Sequence, residues 1–239
     1  MRIAECGLKN IELNDNVKAP SLEFQSSIVN PKSEINFMPL SLCAFVPLLT
    51  NINHNLFLFL NRLNFPIADK LMLLLTYTGN GLILATTILL MLAIFDRKKM
   101  FRVFITVILA GVIGGIVVHL LKLGIEVSRP LVIFPDAHFL GEPLRMGSFP
   151  SGHAQLCFST AVILAKEYKK NWKLFYLWAF IVGYSRIYVG AHFPLDVIAG
   201  GIIGYLSGKF VIWYNWLLNK ELREPSNTKR EQNVAGNNS

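Results

Sequence analysis

Three short segments carry the side chains that could do chemistry in this chain. "KLGIEVSRP" (122–130) holds Lys122 and Arg129, "PSGH" (150–153) holds Ser151, Gly152 and His153, and "SRIYVGAHFPLD" (185–196) holds Arg186, His192 and Asp196. Three cations suit a phosphoryl group, whose charge spreads over its oxygens during transfer. Arg129 and Arg186 can each fork onto two oxygens, while Lys122 supplies a point charge. Lys122 and Arg129 stand about two helical turns apart and can share a face. Ser151 and Gly152 precede an apolar run, so their backbone N–H groups would open a helix, where an anion is stabilised. Asp196 follows His192 by four residues. It can bond one ring nitrogen, set the tautomer and leave the other nitrogen free to attack. His153 has no such neighbour and is placed to protonate a leaving oxygen. No cluster of carboxylates is present to hold magnesium, so the expected reaction uses no metal and no cofactor.

Each group alone has an ordinary explanation. Lys122 and Arg129 would be interfacial cations with buried stems. His153 would be a polar residue at a helix start, and His192 with Asp196 a structural pair. The co-occurrence of all three segments favours the chemical reading. Arg145, Glu126 and Glu142 border the cluster and read as solvated loop charges.

The elements that position these residues are membrane helices. The chain has 239 residues, 53% hydrophobic and 16% charged, with a net charge of +8. A soluble domain of this size carries roughly a quarter charged residues. A span needs about 20 apolar residues. Residues 71–95, 101–121, 172–189 and 196–217 meet this, and 154–168 does so if it extends back through "PSGH". A sixth span over 37–60 is the alternative to an interfacial helix over 53–63. The expected fold is therefore an all-α, polytopic bundle of five or six transmembrane helices. Residues 1–36 read as a polar disordered tail without a signal-peptide pattern, 37–218 as the membrane domain and 219–239 as a second, cytoplasmic tail. "DRKKMFR" (96–102), "KEYKKNWK" (166–173) and the C-terminal basic residues share one side if the spans alternate, and that side is cytoplasmic. The three chemical segments then meet on the opposite face. Tyr184, Tyr188, Trp213 and Trp216 fit an interfacial aromatic belt, and His54 and His138 are expected to face solvent. Gly111, Gly114, Gly115, Gly200, Gly201 and Gly204 fit close helix packing. The three cysteines are scattered without a CxxC pair, which excludes a disulfide framework or zinc site, and Cys157 reads as a buried hydrophobe.

The three segments resemble the signature of the type-2 phosphatidate phosphatase superfamily, which also includes vanadium haloperoxidases. Its pattern is Lys, six residues, Arg-Pro; Pro-Ser-Gly-His; then Ser-Arg, five residues, His, three residues, Asp. Lys122, Arg129, Pro130, Pro150, Ser151, Gly152, His153, Ser185, Arg186, His192 and Asp196 fill every fixed position, with 19 and 31 residues between blocks. The resemblance covers roughly 53–217 and implies the family's helical bundle. It makes His192 the nucleophile that forms a phosphohistidine, Asp196 its orienter and His153 the general acid. Lys122, Arg129, Ser151, Gly152 and Arg186 would hold the substrate phosphate.

The reading that follows is an integral membrane phosphatase, with its site on the periplasmic face of a bacterial inner membrane. Its partners would be the bilayer and a lipid phosphate or diphosphate: undecaprenyl diphosphate, phosphatidylglycerol phosphate, phosphatidate or a lipid A phosphate. The short chain and weak first span most resemble undecaprenyl-diphosphatase-type members. No nucleic acid and no obligate protein partner are implied. Two alternatives are a lipid or phosphate transporter, which would line a pathway with its cations, and a vanadate-dependent peroxidase, whose relatives are generally soluble.

Overall fold

The computed structural model describes residues 40–141 and 147–221, and every regular element among them is a helix. The chain divides into two units, residues 1–52 and 53–239. Of the first unit, only the opening part of α1 (Leu40–Asn61) is described, with Pro47 inside it. The second unit carries the end of α1, then α2 (Pro66–Thr78), α3 (Gly81–Phe95), α4 (Met100–Gly124) and α5 (Pro130–Ile133). After these come α6 (Gly152–Glu167), α7 (Trp172–Tyr188) and α8 (Pro194–Glu221). The expected tail 1–36 lies outside the described residues, as do 222–239 of the second tail; α8 stays helical to Glu221.

Helix α6 is the centre of the second unit. It packs against α8, α7 and α4, and α4 also packs against α8. The sequence explains how α6 and α8 approach so closely. Gly200, Gly204 and Gly208 recur every fourth residue and so lie along one side of α8. A Cβ at Gly200 would collide with the Ser151 carbonyl oxygen, and one at Gly204 with the Gln155 carbonyl oxygen. At Gly208 it would come within 3.0 Å of the Ser159 carbonyl oxygen. Gly114 of α4 leaves room for the Gln155 side chain in the same way, whereas Gly115 has open space before it. Small residues let backbones meet where lipid offers no hydrophobic force to press helices together. Below this crossing, Leu84, Ile88 and Leu92 of α3 join Val103, Val107 and Ala110 of α4, Ile163 and Leu164 of α6 and Val211 of α8 in one core cluster.

Large apolar side chains also face outward: Ile94, Phe101, Leu120, Ile202, Leu206 and Trp213 are all exposed, which fits helices that face lipid. Among the described residues, two single helices are long and apolar enough to cross a membrane, Met100–Gly124 and Pro194–Lys220. The run expected as one span over 71–95 is instead two helices, α2 and α3, which together meet the same criterion but are bent by 76°. The break falls at Gly79–Asn80. The Asn80 side chain restarts the helix by accepting from the backbone N–H groups of Leu82 (3.1 Å) and Ile83 (3.5 Å). Gly79 abuts Val182, Cys157 and His153 so closely that a Cβ would lie 2.7 Å from Val182 Cγ1.

The basic ends do gather. Arg102 at the start of α4 grips Glu167 at the end of α6 through two bonds of 2.7 and 3.1 Å. The Tyr168 hydroxyl donates to Asp96 at 3.1 Å. The chemical segments occupy the other end. Three sequence expectations change. Tyr188 is core, 1% exposed, because its hydroxyl donates to Asp69 at 2.7 Å and its ring meets the edge of His138. His138 is tied to Asp69 at 2.9 Å, and His54 packs on Phe193 and Phe134, so neither imidazole faces open solvent.

Gly200→Ala and Gly204→Ala should each destabilise the fold by about 1–3 kcal/mol, the usual scale of overpacking. Gly115→Ala should be neutral, since nothing opposes its methyl. Thermal unfolding in detergent reads the difference, and equal melting temperatures for all three variants would show that α6 and α8 do not meet as described.

Candidate active site

The site forms where four chain segments reach one end of the bundle. Helix α4 ends in Lys122, and the following loop brings Arg129 to the N-cap of α5, fixed by Pro130 at the first helical position. Ser151 caps α6, so Gly152 and His153 occupy its first turn, where free N–H groups and the helix dipole favour an anion; the Ser151 N–H expected to join them instead donates to the Asp196 carbonyl at 2.9 Å, where the α6–α8 crossing holds it. Gly152 faces open space. Helix α7 carries Ser185 and Arg186 in its last turn, and a tight turn returns the chain to α8, whose first turn holds Asp196. That turn needs Gly190: its φ is +73°, and a Cβ there would lie 2.7 Å from the His138 carbonyl oxygen.

The six charge-bearing groups share one electrostatic neighbourhood. His153 lies within reach of Arg186, His192, Lys122 and Arg129, and Lys122 within reach of Arg129, Asp196 and Arg186. The cations are held by neutral acceptors. Lys122 Nζ donates to the Gly147 carbonyl at 2.8 Å. Arg129 donates to the carbonyls of Ala191 (3.1 Å) and Gly147 (3.4 Å). Arg186 Nη1 donates to Thr76 Oγ1 at 2.6 Å, and its buried Nε has no hydrogen-bond partner. Carbonyls and hydroxyls orient a cation without cancelling its charge. Among the described residues no three His, Cys, Asp or Glu side chains converge as metal ligands would.

His192 is 2% exposed and Asp196 3%. Burial is the main cause that pushes the His192 imidazole down to about 4; Arg186 and Arg129 act in the same direction, while Asp196 opposes them. The ring is therefore neutral at physiological pH and offers a lone pair. The sequence expects Asp196 to bond His192. In the structure Asp196 Oδ2 faces His192 Nδ1 at 3.6 Å, an ion-pair separation rather than a hydrogen bond, and Nδ1 has no other partner. The carboxylate is engaged elsewhere: it accepts from Ser148 Oγ at 2.5 Å and from the Phe193 N–H at 2.9 Å.

Lys122, Arg129, Ser151, Gly152, His153, Arg186, His192 and Asp196 thus come together, and four residues that motif reasoning passed over join them. Ser148 meets Asp196, the Gly147 carbonyl receives both Lys122 and Arg129, and Thr76 receives Arg186. Asn61 is the fourth. Buried, it donates to the carbonyls of His138 (2.8 Å) and Tyr188 (2.9 Å) and accepts from the His138 N–H at 2.9 Å. It clamps the long loop to the end of α7. The asparagine in an apolar helix was the one visible signal, since a polar side chain there needs partners. The loop packs inward: Phe134 lies 6.0 Å from the Phe57 ring, and the Leu140 N–H donates to the Val189 carbonyl at 3.1 Å. Glu142 and Arg145 lie outside the described residues.

Residues 101–220, which include all three blocks, match the family model described as the PAP2 superfamily. The chain is 33% identical over 153 residues to the undecaprenyl-diphosphatase of Sulfolobus acidocaldarius, covering 64% of this chain and 73% of that protein. It is 42% identical over 85 residues to the bacitracin transport permease protein BcrC of Bacillus licheniformis, a match that takes in 36% of this chain and 42% of that protein. Among solved structures, Aquifex aeolicus LpxE superposes with a TM-score of 0.61 at 34% identity, over 68% of this chain and 96% of that one. The first transmembrane PAP2 type phosphatidylglycerolphosphate phosphatase from Bacillus subtilis superposes with a TM-score of 0.57 at 25% identity, over 75% and 96%. Since the family model spans every residue of the cation and histidine cluster except the α2 support, and whole membrane phosphatases overlay the bundle, the chain belongs to the PAP2 superfamily and is an integral membrane phosphatase.

Proposed function

We propose that this phosphatase removes phosphate from a membrane lipid phosphate or diphosphate through a phosphohistidine on His192. The observation that carries the reading is a buried His192, with Asp196 3.6 Å from its Nδ1, in the same electrostatic neighbourhood as three cations, Lys122, Arg129 and Arg186. The substrate phosphate would lie among Lys122, Arg129, Arg186 and the first turn of α6 at Ser151 and Gly152. The His192 lone pair attacks phosphorus, the bond to the leaving oxygen breaks, and His153 gives that oxygen its proton. The ring then carries positive charge, which Asp196 stabilises across Nδ1–H. Water next attacks the phosphohistidine, His153 takes its proton back, and the N–P bond breaks to release phosphate and neutral His192. The cations stabilise the charge on the phosphoryl oxygens in both steps.

A lipid substrate fits because Lys122 ends one span and His153 opens the helix beside another, so a head group can reach the site while its tail stays in the bilayer. Among undecaprenyl diphosphate, phosphatidylglycerol phosphate, phosphatidate and lipid A phosphate, we favour the prenyl diphosphate, supported by the name of the Sulfolobus relative. The five- or six-span bundle is part of this reading, with α6 and α7 crossing beside the two long spans they pack against or adjoin. The placement of basic ends supports a periplasmic site. A transporter would set cations along a pathway, whereas those of the site gather at one end.

His192→Ala should abolish turnover of dioctanoyl phosphatidate in mixed micelles without loss of folded protein, and Asp196→Asn should lower kcat less completely. Near-normal hydrolysis by His192→Ala would sink the assignment. Activity should survive EDTA; full loss restored by magnesium would overturn the metal-free mechanism. With native cysteines replaced, Asp136→Cys should react with a membrane-impermeant thiol reagent from outside the cell and Lys170→Cys should not. The reverse pattern would invert the orientation.

A further inference from the structure

We propose that Ser148 is a positioning residue of this phosphatase, its hydroxyl steering the Asp196 carboxylate that steadies His192. The proposal rests on His192 as the nucleophile. Ser148 is 0% exposed and sits between the three motif blocks without belonging to any. Its N–H donates to the Val127 carbonyl at 3.0 Å, in the loop that leads to Arg129. Its neighbour Gly147 receives Lys122 and Arg129. Its own hydroxyl donates to Asp196 Oδ2 at 2.5 Å, a charge-assisted bond of the strong kind.

The same oxygen accepts from the Phe193 N–H and faces His192 Nδ1 at 3.6 Å, so three groups compete for Oδ2. The competition matters during turnover. When phosphorus bonds to the far ring nitrogen, the imidazole becomes cationic and its Nδ1–H seeks the carboxylate. To form a charged hydrogen bond the gap must close from 3.6 Å to about 2.8 Å. The Phe193 N–H belongs to the backbone that starts α8, where the Phe193 carbonyl already receives the Asp196 and Val197 N–H groups, so it follows that movement less readily than a side chain. A serine hydroxyl can follow it, by rotation about one bond, keeping its hydrogen bond while the carboxylate shifts toward the ring. Ser148 therefore holds Asp196 back from the neutral ring and accompanies it toward the charged one.

A purely structural latch is the plainer explanation, but the backbone already supplies it. Ser148 N–H to Val127 and Ser151 N–H to the Asp196 carbonyl (2.9 Å) tie these segments without any side chain. A hydroxyl is needed only for the carboxylate.

The test uses the full-length enzyme in detergent with dioctanoyl phosphatidate as probe. Ser148→Ala should fold, keep KM within about twofold and lower kcat by about tenfold to a hundredfold, the scale of a sub-ångström misplacement at a reacting group. Ser148→Thr, which keeps the hydroxyl, should recover most of the loss. In an Asp196→Asn background, Ser148→Ala should cost nothing more, because the group it acts through is already altered. An unchanged kcat for folded Ser148→Ala would overturn the proposal. So would a full additional loss in the Asp196→Asn background, which would place the effect elsewhere. The nucleophile is read separately, by acid-labile phosphohistidine trapped on His192 of the unmodified enzyme. Its presence with an indifferent Ser148→Ala leaves the function standing and rejects only the role of Ser148. Its absence removes both.

Discussion

The site depends on one constraint, the backbone-to-backbone approach of α6 and α8. Carbonyl oxygens of Ser151 and Gln155 lie where side chains of α8 would otherwise stand, and only glycine at 200 and 204 leaves that space. The approach sets the N-terminus of α6 beside the first turn of α8, where the Ser151 N–H meets the Asp196 carbonyl. The α6 N-terminus proposed to cradle phosphate and the carboxylate beside His192 are thus parts of one helix crossing. In a bilayer such a contact has to be built from close packing, because burying apolar surface gains nothing against lipid.

Charge is arranged around that crossing by a second rule. Lys122 donates to the Gly147 carbonyl, Arg186 to the Thr76 hydroxyl, and Arg129 to the Ala191 carbonyl among its partners. Direct ion pairs would have neutralised the site, and unbonded cations would have been costly to bury. Neutral acceptors give orientation while leaving the positive potential to attract a phosphate. Among the described residues the acidic side chain of the cluster, Asp196, lies 3.6 Å from His192 Nδ1.

Support for this arrangement comes from segments outside the motifs. The bend between α2 and α3 carries Gly79 against His153 and, through Thr76, holds Arg186 from the side opposite the glycine crossing. Asn61, Asp69, His138 and Tyr188 form a partly buried polar clasp that holds the long loop on the end of α7. Each of these polar groups finds its partner far away in the chain. That is why Tyr188 and His138, read locally, pass for interfacial or solvated residues.

The chemical residues were legible in the sequence because their identities and spacings are local properties. Ser151 to His153 open one helix, whereas Lys122 and Arg129, expected two turns apart on one helix face, are split by the end of α4 at Gly124 and meet through the loop instead; the apolar runs between the segments imply membrane helices that return them to one side. The all-helical class followed from the same runs, and the packing role of Gly200 and Gly204 from their four-residue spacing. What the sequence could not settle are contacts between distant segments. The break at Gly79–Asn80 had a local signal in "TGNG" (78–81), where Asn80 caps α3, but the 76° bend it makes is set by what α2 and α3 pack against. The partner of Asp196 is a serine 48 residues earlier, and that of Arg186 a threonine 110 residues earlier. A hydrogen bond needs donor and acceptor within about 3 Å, a distance only the folded bundle sets. The amino-acid types alone determined which groups can bind and transfer a phosphate. The tertiary packing decided which of them face one another, because orientation at that scale is a property of the crossing helices and not of any one segment.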